Sequence, residues 1–91
     1  MYKLTNYTKM KAKKMGVEVR LSSVGNKKVD VYKNGTKVAS IGDKRYADYP
    51  TYMISHGKHY ADNRRRLYRL RHAKEESKVG TPGYYAFHLL W

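Results

Sequence analysis

The chain has 91 residues, with 20 Lys and Arg set against 7 Asp and Glu, a formal net charge of +13 and an isoelectric point near 10.0. That length allows one domain with a thin core, and 16 Leu, Ile, Val and Phe residues beside ten Tyr and one Trp make much of the available core material aromatic. The absence of cysteine excludes disulfides, thiolate metal sites and a cysteine nucleophile.

No stretch approaches the ~20 apolar residues of a membrane span, and the N-terminus lacks the apolar run of a secretory signal, so a soluble product of the cell interior is expected. Residues 1–15 carry five lysines, among them Lys9, Lys11, Lys13 and Lys14, and no acid. Such a segment reads as a basic N-terminal arm, either solvated or ordered on phosphates or on a neighbouring chain. The remainder, 16–91, reads as a single small α+β domain.

Val17, Val19 and Leu21 alternate with Glu18, Arg20 and Ser22, which predicts a half-buried strand over about 17–22. Asn34-Gly35 then separates two further alternating segments, about 28–33 and 36–41. Both residues tolerate the positive φ of a two-residue type I′ hairpin. That loop places Val31 opposite Val38 and Tyr32 opposite Lys37. A turn around Gly25 and Asn26 brings the first strand back, giving a three-stranded antiparallel meander.

Residues 42–54 read as a connector broken at Pro50, because a proline disfavours helix at the residue before it. A long basic helix is predicted over about 57–76, with Ser55 as a candidate cap and Gly80 and Pro82 preventing continuation. Seven Lys and Arg fall between Lys58 and Lys74, opposed only by Asp62. On a 100° wheel, Tyr60, Leu67 and Leu70, flanked by Ala61 and Tyr68, form the core-facing stripe, with Lys58, Arg65, Arg69 and His72 opposite. Arg64 and Arg71 fall inside the apolar stripe. Burying them unpaired is costly, so they must snorkel, stack on a tyrosine or find a carboxylate; structural ion pairing, with Asp48 or Asp43 as the carboxylate, is at least as expected as contact with a ligand. Lys58, Arg65, Arg66 and Arg69, together with Lys9, Lys11, Lys13 and Lys14, remain as the set that meets an anionic partner.

The tail 80–91 concentrates Tyr84, Tyr85, Phe87, Leu89, Leu90 and Trp91. These side chains either close a core that is poor in aliphatics or serve as anchors in a neighbouring subunit, Tyr84, Tyr85, Phe87, Leu90 and Trp91 being the anchor set. Enzymatic chemistry has little to build on. His56 and His59 have a spacing that suits a metal on one helical turn, but no carboxylate or cysteine completes the site. No nucleophile elbow or phosphate-cradling glycine loop is present. No catalytic residue, metal, cofactor or small-molecule substrate is expected.

From the hairpin onward the chain resembles a family of small, uncharacterised basic proteins of large nucleocytoplasmic DNA viruses, including algal and giant viruses. The resemblance covers roughly residues 29–91. It rests on Gly42, Lys44, Tyr46, Asp48 and Tyr49, on the helix end Tyr68, Arg71 and His72, and on the closing Gly83, Tyr84, Tyr85, Leu89, Leu90 and Trp91. It implies a viral setting and a place in the virion. The expectation is therefore a non-enzymatic minor capsid protein, made in the host cell interior, which cements other capsid or virion proteins through its basic and aromatic surfaces. The alternative is a basic nucleic-acid-binding protein that packages or regulates the viral genome. A weaker third reading is a module directed at a host protein.

Overall fold

The computed structural model describes residues 2–91. The elements run α1 (Asn6–Met15), β1 (Glu18–Leu21), β2 (Lys27–Lys33), β3 (Thr36–Asp43), α2 (Tyr49–His56), α3 (Lys58–Arg71), a 3₁₀ turn (Ala73–Ser77) and α4 (Pro82–Leu89). The three strands form one antiparallel sheet in the order β1-β2-β3. The fold is therefore α+β, with the meander and the aromatic C-terminal cluster in place.

The segment read as an N-terminal arm is the helix α1, and this corrects the boundary drawn at residue 15. Thr5 caps it from an extended conformation, its hydroxyl accepting from the Thr8 N–H, and Gly16 closes it in the left-handed region at φ 73°. Lys13 and Lys14 fall in the last turn, where the helix dipole favours cations. Thr8 and Ala12, one turn apart, are fully buried, and Leu4, Tyr7 and Met15 pack beside them. Small side chains let this face approach α4 and β1 closely. The Cα radius of gyration, 12.4 Å, equals the ~12 Å expected of a compact chain this long, which leaves no extended arm.

At the hairpin, Asn34 and Gly35 both adopt positive φ, 52° and 79°, as a type I′ turn requires. Tyr32 pairs with Lys37 as the loop dictates, but Val31 pairs with Ala39 rather than Val38, because a bulge falls at Val31/Tyr32. The extra residue is Val38, which stays on the surface. The shift turns Ala39 and Ile41 toward Val29 and Val31 in the core. Since successive strand residues face opposite ways, Lys28 and Asp30 occupy the second face of the central strand, and both are buried. Burial alone would raise the Asp30 carboxyl, but hydrogen bonds from the Ser22 and Ser40 hydroxyls and the Ser23 N–H outweigh it and hold the group below its usual range.

The connector around Pro50 carries α2. Asp48 is its cap, accepting from the Thr51 N–H at 3.1 Å, and Pro50 lies in the first turn, where a missing N–H leaves no hydrogen bond unmade. Proline there starts the helix rather than breaking it. α2 meets α3 at Gly57 (φ 85°), so Gly57 and not Ser55 precedes the long helix. That helix ends at Arg71, short of the expected 76, with His72 leading into the 3₁₀ turn. Thr81 and Pro82 then open α4 by the same device as Asp48 and Pro50.

α4 and the two residues after it supply Tyr85, Phe87, Leu89, Leu90 and Trp91, all buried. Main-chain bonds lock them in. The Tyr49 N–H donates to the Leu90 oxygen, the Thr8 hydroxyl to the Leu89 oxygen, and the Tyr7 hydroxyl to the Trp91 oxygen. The tail therefore closes its own core, and Tyr85, Phe87, Leu90 and Trp91 are corrected from anchors to core residues. Tyr84 is half-buried.

Candidate anion-binding cleft

On α3, Ala61 is buried and Arg64, Arg65, Leu67 and Tyr68 are half-buried, so the inward face is turned away from the Tyr60 and Leu70 side of the predicted stripe. Ala61 is 0 % exposed, whereas Leu70 is 66 % exposed and Tyr60 41 %. The reason lies in what α3 packs on. Its neighbours are the rings of Tyr49, Phe87 and Trp91, and aromatic faces accept guanidinium planes as readily as aliphatic side chains.

The arginines accordingly exchange roles. Arg65 lies 4.0 Å over the Tyr49 ring and 3.6 Å from Asp62, and Arg69 lies over Phe87 and donates to the Trp91 oxygen at 2.9 Å. Lys58 holds Asp62 at 2.6 Å, and Arg66 bonds Asn63. Of the four α3 cations assigned to a partner, Arg65 therefore braces α2 and Arg69 the tail. Lys58 is 72 % exposed in its ion pair, and solvent-exposed pairs of this kind contribute little to stability. Asp62 is held below the ordinary carboxylate range by Lys58 first and by the Tyr49 hydroxyl second. On α1, Lys9, Lys13 and Lys14 are exposed, and Lys11 folds back over Tyr7.

Asp48 does not pair with Arg64 or Arg71. It receives Lys28 Nζ at 3.0 Å and the Tyr2 hydroxyl at 2.9 Å, and the two charged side chains are 1 % and 4 % exposed. Asp43 is taken by Arg45, whose hydrogen bonds push its carboxyl down to about 2. Both candidate carboxylates are thus occupied by cations from outside α3.

Arg64 and Arg71 consequently have no hydrogen-bond or ion-pair partner among the described residues, and Arg64 Nε is buried without one. A buried unsatisfied donor costs ~1–3 kcal/mol. The nearest compensation is the Tyr52 ring, with the guanidinium carbon 5.5 Å from its centroid. Both arginines line a cleft of about 370 Å³ between the end of the sheet and the helices. Lys27, Lys28, Tyr46 and Ala47 form one side, and Tyr52, Tyr68, His72, Ala86 and Trp91 form the rest. Its four Lys and Arg side chains face two acids, and both acids are already paired. His72 and Trp91 each stack on Tyr68, at 4.2 and 4.3 Å between centroids. Two rings at that spacing cannot share one face without touching, so Tyr68 is sandwiched between them.

Sequence reasoning singled out Arg64 and Arg71, but the ion pair assigned to them does not form, and stacking on a tyrosine, its other option, is what Arg64 finds at Tyr52; it missed Lys28. Lys28 carries no sequence signal, because an inward lysine on a central strand is recognised only once its carboxylate is known. Among the described residues no cluster of His, Asp and Glu gathers to hold a metal, and no helix is long and apolar enough to cross a membrane. No protein-family model, curated protein or solved structure matches the chain.

Three tyrosines in and beside the cleft are expected to titrate late. Burial raises Tyr2, Tyr49 and Tyr68 above the ordinary phenol value, with the charge of Asp48, the hydrogen bond to Asp62 and the charge of Glu75 adding in turn. The unfolded chain ionises these groups near pH ~10 while the folded chain keeps them protonated. Their contribution is therefore complete below pH ~10 and declines as pH rises toward and through the folded values. Tyrosinate absorbance should show a late class that is released together with loss of helical circular dichroism. Uniform titration of all ten tyrosines in the folded protein would contradict this.

Proposed function

We propose that the chain is a non-enzymatic structural protein of a virion, a minor capsid component held among larger subunits by charge. The observation that supports this reading is the disposition of its acids. Five of the seven acids are engaged by a cation of the same chain: Glu18, Asp43, Asp48, Asp62 and Glu75. The excess positive charge has no internal counter-charge and is spread over α1, the hairpin and α3. A surface of that kind gains free energy by meeting acidic neighbours. The family resemblance supplies the viral setting. With the tail in its own core, contact falls to Lys9, Lys13, Lys14, Lys58 and Arg66 rather than to aromatic anchors.

Mass spectrometry of purified capsid shells stripped of genome tests this, with the chain expected in stoichiometric amount. Its absence from the shell sinks the reading.

A second reading, nucleic-acid binding, is favoured by one observation, the cationic cleft with aromatic walls. Phosphate contacts made by several Lys and Arg give affinity that falls steeply with salt. Titration with duplex and single-stranded DNA over a range of salt concentrations should show that slope, and no binding at physiological salt removes this reading.

A further inference from the structure

We infer that the cleft bounded by Lys27, Lys28, Tyr52, Arg64, Tyr68, Arg71 and Trp91 binds a nucleotide unit, its phosphate on the two arginines and its base against the ring wall. The site is distinct from the outward lysines invoked for a capsid contact and does not depend on that reading.

Three features of the cleft argue for this ligand. First, Arg64 and Arg71 lie seven residues apart on α3, on one side of the helix, and both line the same cleft with no internal hydrogen-bond or ion-pair partner among the described residues, Arg64 with its Nε buried and Arg71 exposed. Elsewhere on α3, Arg65, Arg66 and Arg69 each find a carboxylate, an amide or a main-chain oxygen. Guanidinium groups left unpaired in a concave site are suited to the planar, bidentate recognition of an oxyanion. Second, the acids of the cleft do not compete for them. Asp48 is held by buried Lys28 and Asp43 by Arg45, so the local field stays positive. Third, the rest of the lining is aromatic and apolar, with Tyr46, Tyr52, Tyr68, Trp91, Ala86 and Leu90. The faces of Tyr68 are taken by His72 and Trp91, so a base packs against the ring edges of the wall and stacks on exposed Tyr46, whereas a free phosphate has no use for such a surface.

The cleft volume, about 370 Å³, lies at the low end of the ~300–1,000 Å³ typical of small-molecule sites. That is room for one nucleotide rather than for an extended acidic peptide. The neighbouring hollow lined by Tyr2, Lys44, Arg45, Tyr46 and Thr51 shares Lys28, Tyr46 and Ala47 with the cleft. Exposed Tyr46 stands between the two with Lys44 and Arg45 beyond it, which offers a route for a strand that continues past the bound unit.

Trp91 is the single tryptophan and lines the cleft, so its fluorescence reports occupancy. Adenosine monophosphate and a short oligothymidylate are titrated into the full chain beside inorganic phosphate and oligoglutamate. A saturable change with either nucleotide probe, tighter than with phosphate or oligoglutamate, is expected. If the strand binds and the mononucleotide does not, the unit belongs to a strand and the assignment stands. Arg64→Met and Arg71→Gln should each weaken nucleotide binding about ten- to a hundredfold, while replacing Lys9, Lys13 and Lys14 together by Gln leaves mononucleotide binding intact.

Arg64→Met also separates binding from folding. Because it removes a buried donor that nothing satisfies, the variant should melt at or above the temperature of the parent while binding is lost. A merely structural arginine would lower both. The proposal is overturned by no saturable change with any nucleotide, by phosphate or oligoglutamate binding as tightly, or by unchanged nucleotide affinity in a folded Arg64→Met protein.

Discussion

A chain shortened to end at Gly83 is expected to be unfolded. The deletion removes Tyr85, Phe87, Leu89, Leu90 and Trp91, five of the twelve buried apolar residues. It also strips the oxygens that accept from Thr8, Tyr49, Tyr7 and Arg69, leaving α1, α2 and α3 with donors aimed at nothing. A domain of this size is stable by only ~5–14 kcal/mol. Leu89→Ala by itself should cost about 2–5 kcal/mol, since Leu89 is 0 % exposed within the core cluster. Circular dichroism and thermal melting check both variants. A shortened chain that still melts cooperatively would return the tail to the role of a docking anchor, so the experiment also decides between the two readings that the sequence left open for residues 80–91.

What was legible in the sequence is what local chemistry specifies. Asn34-Gly35 accepts positive φ at both positions and produced the hairpin, and the alternation on either side of it produced three strands in the right order. The bulge that sets Val31 against Ala39 was not legible. Val38 and Ala39 are both apolar, and which of them faces inward depends on what covers the sheet. The helix α1 was hidden by composition. Its buried face is made of Thr8 and Ala12, which contribute almost nothing to an apolar periodicity, while the lysines around them suggested a solvated tail. Thr5 and Gly16, flanking the ten residues of the helix, were the available signal. Pro50 was misread for a different reason. A proline excludes the helix interior but suits the first turn, and only Asp48 two residues before it says which applies.

The cleft shows how a half-correct premise gave the wrong assignment. Arg64 and Arg71 were placed on the inward side of α3, where the structure has Arg64 half-buried but Arg71 exposed, and the need to satisfy them led to Asp48. The competing claim came from Lys28, on a strand 20 residues away in sequence from that carboxylate, and no periodicity connects the two. Once Lys28 holds Asp48, the arginines lose their internal acid and the cleft gains its charge. A long-range pairing invisible in the sequence thus sets the electrostatics of the candidate site.

Asp48 should consequently be the most sensitive polar position in the chain. One oxygen, Oδ1, caps α2 through the Thr51 N–H, and the other, Oδ2, accepts from Lys28 Nζ and the Tyr2 hydroxyl. Asp48→Ala leaves a lysine 4 % exposed with no counter-charge, a change that costs about 3–5 kcal/mol, and the lost cap adds ~1 kcal/mol. Asp48→Asn keeps an oxygen for the cap and should lose about that much less. Lys28→Met is expected to be milder than either, because Asp48 retains its bonds from Thr51 and Tyr2. Combining Lys28→Met with Asp48→Asn removes both charges and should recover most of the loss, since a buried pair replaced as a unit is often neutral. Urea denaturation of the parent, Asp48→Asn, Lys28→Met and their combination gives the coupling as a double-mutant cycle. A loss within ~0.5 kcal/mol for Asp48→Ala, the size expected of a surface substitution, would show that the pair does not bear on folding. A coupling of several kcal/mol would establish that one buried ion pair joins the sheet to α2 and keeps the cleft's arginines free.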